Sequence, residues 1–269
     1  MSLPPEIVDY IIDLTGGNSR ILRACSLVAK SWVARSRMHL FRDIRLHFYH
    51  NWQKVMPVGP TSPAIYTRTL TLVQNGAPGE RYTNIDHLGP FLPHLRDFKN
   101  VDNLILIDWW GPPRLSENML KKYFGHFGAH LRSLELDGEV RSPDSFLVLL
   151  GLFPNLEDLL VDDLIIGAEA SEAPIVSPKL SGRLTIGVHT KYLSPILCKF
   201  PLRFREICLH KGRGDHQELI NACAKTLVNF RVTTDLGKWR FEISSPRPNS
   251  SQMTYHAEFP SGSAKRSGG

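Results

Sequence analysis

A short apolar pattern that returns along most of the chain constrains its fold more than any other feature. It reads apolar, two residues, apolar, one residue, apolar. It starts at Thr67-Arg-Thr-Leu70-Thr-Leu72, with a threonine in the first place. It returns at Val101-Asp-Asn-Leu104-Ile-Leu106, Leu131-Arg-Ser-Leu134-Glu-Leu136 and Leu156-Glu-Asp-Leu159-Leu-Val161. A degenerate copy stands at Leu184-Thr-Ile186, and two more at Phe204-Arg-Glu-Ile207-Cys-Leu209 and Leu227-Val-Asn-Phe230-Arg-Val232. The first copies lie more than about 30 residues apart and the later ones about 23 to 25, a period that suits leucine-rich repeats. Within each copy the alternation has period two, which predicts a strand. Helical segments lie between copies. Ser116 to Phe127 has Ser116 as cap and Ser142 to Leu152 has Pro143 at the first helical position. Thr190 to Phe200 is interrupted by Pro195, and Asp215 to Lys225 has Asp215 as cap. Leu92-Pro93, Phe153-Pro154 and Phe200-Pro201 each end a helix and turn the chain back. One strand and one helix cannot bury their own apolar face, so the expectation is an α/β solenoid of stacked units.

The first forty-odd residues read differently. Leu3, Ile7, Ile11 and Leu14 recur at helical spacing, and Val8 and Ile12 widen the stripe. Pro4 and Pro5 suit a first helical turn, Glu6 suits its dipole, and Gly16-Gly17 stop the helix. Ser19 is the expected N-cap of a second helix carrying Ile21, Leu22 and Cys25. Leu27, Val28 and Trp32 lead into a third that ends near Leu40-Phe41. This is more apolar surface than three short helices can bury alone.

The order of these residues resembles the F-box. Leu3-Pro4-Pro5-Glu6-Ile7 matches that family's opening Leu-Pro-x-Glu-Ile. Cys25-Ser26-Leu27-Val28 followed by Trp32 matches its middle, and Leu40-Phe41 before Ile44-Arg45-Leu46 matches its end. The phrasing is similar to the large F-box families of mushroom-forming fungi, and the later repeats resemble those of leucine-rich-repeat F-box proteins. The expected organisation is an α/β chain: an F-box over 1–46, a linker over 47–66 broken by prolines, and a leucine-rich-repeat-like solenoid over 67–243. The last strand would be Trp239-Arg-Phe241-Glu-Ile243, and 244–269, rich in Ser, Pro and Gly, is expected to be a disordered tail. The same apolar residues would equally serve a helical cap on the fold that follows.

Composition excludes several classes. The 269 residues have ordinary proportions of hydrophobic (42%) and charged (22%) side chains, and no apolar run reaches the roughly 18 residues that a membrane span needs. Glu6, Asp9 and Asp13 interrupt the first apolar stretch, so it does not read as a signal peptide, and the cytosol or nucleus is expected. The net charge of +6 permits nucleic-acid binding, but the basic residues read as scattered over a solvated surface. Cys25, Cys198, Cys208 and Cys223 form no C-x-x-C pair and read as core or near-core thiols. His126 and His130 stand four apart, yet Gly125 and Gly128 weaken that helix and no Glu follows His126, so no metal site is expected. Asp162-Asp163 are adjacent and expected to face solvent rather than to form an acid/base pair. No nucleophile motif, phosphate-cradling loop or cofactor fingerprint occurs, so neither an enzyme nor a cofactor is expected.

The resemblance implies that Leu3, Pro4, Ile7, Ile11, Leu27, Val28, Trp32 and Leu40 contact a Skp-type adaptor or support that contact, and that the adaptor brings a cullin. Trp32 has the alternative of packing inside the helices. The repeats would hold a protein substrate. In such a solenoid the residue between the last two apolar positions faces out, giving the column Thr71, Ile105, Glu135, Leu160, Thr185, Cys208 and Arg231. A second column holds Val73, Ile107, Asp137, Asp162, Gly187, His210 and Thr233. The candidate substrate face is therefore Ile105, Glu135, Asp137, Leu160 and Asp162, acidic at its centre. Trp109 and Trp110, adjacent at a strand's end, are candidate anchors, with packing under the Pro-rich loop as the alternative. A scaffold outside any ligase and a nucleic-acid-binding solenoid are the rival readings.

Overall fold

The computed structural model describes residues 3–47, 62–74, 92–110, 117–140, 142–167, 178–188, 190, 193–210, 216–234, 237–243 and 255–258. The chain divides into two compact units, Met1–Glu135 and Leu136–Gly269, each α/β with strands laid side by side in sequence order.

The first unit opens with three helices: α1 (Pro5–Leu14), α2 (Ser19–Val28) and α3 (Lys30–Leu40). Pro5 fills the first turn of α1, where no amide donor is needed. The cap of α2 is Asn18, not Ser19: its Oδ1 accepts from the amides of Arg20 and Ile21, each at 3.1 Å. Both residue types can cap, and the choice fell to the one with extended backbone. Ala29 alone, also extended, separates α2 from α3. Val8, Ile12, Leu22 and Cys25 close a small core, with Trp32 and Leu40 packed against it.

From α3 the chain runs directly into β1 (Asp43–His47), which pairs in parallel with β2 (Thr69–Val73); β2 pairs in turn with β3 (Asn103–Trp110). The segment that ends the F-box-like stretch is thus the first strand of this unit's sheet, joined to the repeats across 48–66. Between β2 and β4 (Ser133–Val140) lie a 3-10 turn, Leu92–Asp97, and α4 (Glu117–Phe124). Leu70, Leu72, Leu104, Leu106 and Leu134 are sealed beneath the strands, each contributing about 1.5–3 kcal/mol of burial. Thr67, in the first place of the first copy, is buried and gives its hydroxyl to the Pro63 carbonyl at 3.2 Å, so a threonine can stand where later copies have an apolar residue. A backbone ladder runs along the start of the strands. The Arg42 carbonyl accepts from the amides of Arg68 and Thr69, that of Arg68 from Asp102 and Asn103, and that of Asp102 from Arg132 and Ser133, at 2.8–3.1 Å.

In the second unit, α5 (Pro143–Gly151) follows β4 and is capped by Ser142, whose Oγ accepts from the Ser145 amide at 3.1 Å. Phe146 through Leu150 are all buried. Then come β5 (Asp158–Ile166), β6 (Leu180–Ile186), α6 (Leu193–Leu197), β7 (Leu202–His210), α7 (Gln217–Cys223) and β8 (Asn229–Thr234). Strands β5 to β8 pair in parallel. α6 is short, as Pro195 requires. The expected closing strand is β9 (Gly237–Ile243), and it runs antiparallel to β8. Beyond it β10 (Tyr255–Glu258) pairs antiparallel with β9, so this part of the expected disordered tail is a strand; the rest of the tail, and most of the 47–66 linker, lie outside the described residues. Ser116 and Asp215, the expected caps of α4 and α7, also lie outside them.

Three strands carry a left-handed backbone at the second residue past the last apolar position: Asp108 (φ 50°), Gly138 (φ 131°) and Asp163 (φ 45°). Asp and Gly are residue types that accept this conformation at low cost. In β3 and β5 the kink shifts the alternation by one, so the next residues, Trp109 and Leu164, turn inward.

Candidate functional site

Two surfaces stand out, one on the helices and one on the strands. On α1 the apolar residues form two faces. Val8 and Ile12 point into the core, while Ile7, Tyr10 and Leu14, and Leu3 just before the helix, are exposed. The spacing of 3 and 4 puts Ile7, Tyr10 and Leu14 on one stripe. At the end of α2, Leu27 is 87% and Val28 64% exposed, and Ile21, two turns before Val28 on the same face, is exposed too. Large apolar side chains left in water on two helices make this a candidate docking surface. The expected set is therefore divided: Leu3, Pro4, Ile7, Leu27 and Val28 are exposed, and Ile11 is half-buried. Trp32 and Leu40 rest on the helical core; they support the surface from inside, the alternative named for Trp32. Sequence reasoning missed Tyr10, Leu14 and Ile21 as members of this surface; the spacing 7, 10, 14 was the signal for the first two and 21, 28 for the third.

A clasp holds this presentation. Asp13 of α1 accepts from Arg35 of α3 through Nε at 2.7 Å and Nη2 at 2.5 Å, and from His39 Nε2 at 2.8 Å. The Arg35 hydrogen bond, then that of His39, holds the Asp13 carboxyl far below the ordinary carboxylate range. The pairing raises Arg35 in turn. Gly16 lets the α1–α2 turn come against His39, where an added Cβ would lie 3.0 Å from Nδ1.

On the strands the expected outward columns are set in register. Thr71 pairs with Ile105, Leu160 with Thr185, Thr185 with Cys208, and Cys208 with Arg231; His210 pairs with Thr233. Val73 is in register with Ile107 but is buried, so it is not part of the outward column. Ile105, Glu135, Asp137 and Leu160 are half-buried outward residues and Asp162 is exposed. The Asp162 carboxylate leans on the next strand, accepting from the Val188 amide at 3.4 Å, and that space is open because residue 187 is glycine. Asp163 faces solvent as expected. Trp109 is corrected: it is 4% exposed and packs edge-on to Phe124 with ring centroids 5.7 Å apart, so it belongs to the core and not to a binding face. The side chain of Trp110 lies outside the described residues.

Charges cross β5 to β7 one residue before the second apolar position, a column not anticipated, and Arg231 of the expected outward column on β8 joins them. Arg183 Nε lies 3.8 Å from Asp158 and 3.3 Å from Glu206, and Arg231 Nη2 lies 3.3 Å from Glu206. Such cross-strand pairs are worth roughly 0.2–1 kcal/mol each. Cys208 sits beside Glu206, and burial followed by that charge raises its thiol. Burial pushes Cys223 up to about 11, and raises Cys198, so these sulfurs are held as unreactive thiols. Ser194 Oγ and His216 Nδ1 are 2.8 Å apart. Both are buried, so no substrate reaches them, and the pair ties α6 to the start of α7. Burial lowers His126. No cluster of metal-ligating side chains and no helix long and apolar enough to cross a membrane occurs among the described residues.

No known family and no curated protein matches the chain. Among solved structures, a complex of Rad7 and Elc1 from yeast aligns over 86% of this chain and 80% of its own at 14% identity, with a TM-score of 0.24. A score that low does not establish a shared fold.

Proposed function

We propose that this chain is a substrate-receptor subunit of a Skp–cullin–F-box ubiquitin ligase, working in the cytosol or nucleus. One observation carries the reading: a three-helix unit with its own closed core leaves Leu3, Ile7, Tyr10, Leu14, Leu27 and Val28 in water. The residues that match the F-box pattern divide between that core and that open surface. The open ones would take a Skp-type adaptor, and through it a cullin. The repeats would hold a protein target near the charged ubiquitin carrier. The chain would do no chemistry and need no cofactor; transfer would follow from raised local concentration.

The test is capture of a purified Skp-type adaptor by the full chain. Leu3→Asp with Ile7→Asp, or Leu27→Asp alone, should abolish it with the circular dichroism spectrum unchanged, because exposed positions tolerate charge in the free protein. Undiminished capture by both variants would remove the reading. Co-purification of a cullin separates a ligase subunit from a scaffold outside any ligase.

A further inference from the structure

The charge of this chain is segregated along the sequence. Residues 101–177 hold five Lys and Arg against thirteen Asp and Glu, whereas 178–269 hold fifteen against six. The second unit places part of the basic excess on one face of β6 and β7. Leu180, Leu202 and Phe204 are buried, and between them Lys179, Ser181, Arg203 and Arg205 are exposed. Ser181 and Arg203 are register partners. Lys179 precedes Ser181 by two residues and Arg205 follows Arg203 by two, so all four share the outward face. Arg183 and Arg231 nearby are occupied by Asp158 and Glu206. Lys179, Arg203 and Arg205 make no ion pair among the described residues. Three cations are left uncompensated beside a hydroxyl.

We infer that this face binds an extended acidic segment of a protein partner, a deepening that rests on reading the repeats as a protein-capturing surface. The spacing selects the partner. Arg203 stands two residues, roughly 6.6 Å, along the strands from Lys179, and Arg205 follows at a bulge in β7, as the extra residue between the pairs Gly182–Phe204 and Arg183–Glu206. An extended peptide with a carboxylate at every second residue repeats at the step from Lys179 to Arg203, and its next carboxylate meets Arg205. Single-stranded nucleic acid would want exposed rings to stack on; of the rings on β6 and β7, that of Phe204 is buried and that of His210 lies at the far end of β7, five residues beyond Arg205, so no ring stands among the three cations. Serine 181's hydroxyl offers a donor between the cations.

The experiment uses the full chain without adaptor and a fluorescein-labelled decapeptide of alternating Glu and Ser, read by anisotropy. Binding that weakens with added salt and falls roughly tenfold or more in Arg203→Glu with Arg205→Glu is expected, exposed ion pairs being individually weak. Arg203→Gln with Arg205→Gln should fall less, and guards against a reversal that unfolds the sheet; melting curves accompany both. Lys121→Glu with Lys122→Glu, on α4, should bind as the wild type does. The inference is overturned if the peptide does not bind, if the α4 variant loses as much as the arginine variants, or if a ten-residue oligothymidylate binds more tightly than the peptide. Because no adaptor is present, each of these outcomes leaves the helical docking surface untouched, and failure of adaptor capture leaves this peptide assay readable.

Discussion

The helices at the start and the strands that follow solve opposite problems with similar residues. Seven of the nine large apolar side chains exposed among the described residues fall between Leu3 and Val28; the repeats contribute Ile165 and Val228. In the repeats, each strand lays its apolar positions beneath a neighbour already carrying the same pattern, and little remains for a partner to cover. The helical unit has a core of four buried residues and two half-buried ones, and the apolar stripe on the far side of α1 stays exposed among the described residues. A sequence can be equally apolar in two regions and mean stability in one and association in the other; what differs is whether the chain supplies the second surface.

The sharpest way to break that contrast is to cut into each core and each surface. Phe204→Ala, in the sealed layer of β7, should cost about 3–5 kcal/mol and Leu22→Ala, in the helical core, about 2–5 kcal/mol, read as a fall in the urea midpoint. Leu27→Ala should move the midpoint hardly at all, within about 0.5 kcal/mol, as surface changes do. If Leu27→Ala destabilised as much as Leu22→Ala, the open stripe would be part of the core and the contrast would fail.

Much of this was legible beforehand. The repeat pattern placed Leu70, Leu104, Leu134, Leu159, Leu184 and Ile207 inward and Ile105, Leu160 and Cys208 outward, because period two leaves only one choice once the apolar set is known. Pro143 at the start of α5 was legible from its fixed backbone alone. What escaped depended on backbone or neighbours. Continuing the alternation past Leu106 sends Trp109 outward; the left-handed turn at Asp108 reverses it, and an aspartate does not announce that turn. α1 is apolar on several faces, so its sequence does not say whether Val8 and Ile12 or Ile7 and Ile11 face the core; packing against α2 and α3 decides. The basic excess on β6 and β7 was overlooked because Lys179, Arg203 and Arg205 are nowhere adjacent in sequence; parallel pairing brings them together.

Smaller effects sharpen the comparison from the repeat side. Gly182 has φ +84°, and a Cβ there would lie 2.0 Å from the Glu157 carbonyl oxygen. The Arg183 amide bonds that same oxygen at 2.7 Å, so the strands cannot separate without losing a ladder bond. Gly182→Ala should therefore cost about 1–3 kcal/mol for the backbone conformation, with the contact adding to it. A neighbouring change that only alters charge, Ser181→Asp, should leave the melting temperature nearly unchanged. Equal effects would mean that the close approach of β5 and β6 is not what holds this part of the sheet.

The smallest effect belongs to the clasp between α1 and α3, and its sign with pH separates it from apolar packing. Asp13 in the folded chain titrates well below the roughly 3.9 of an unfolded aspartate. A lowered carboxyl stabilises the fold fully above the unfolded value and loses that contribution as pH falls through the folded one. Asp13→Asn removes the charge that Arg35 and His39 share, so the variant should melt below the wild type by a constant margin from pH 7 to about 5. Below about pH 4 the margin should shrink, because the unfolded wild-type chain then takes up a proton that the folded carboxylate does not. Burial of Val8, Ile12 and Leu22 has no such dependence, so Leu22→Ala should keep its deficit across the same range. A margin for Asp13→Asn that stayed level into acid would mean that the helices are held by their small core alone, and that the open stripe on α1 is positioned without help from charge.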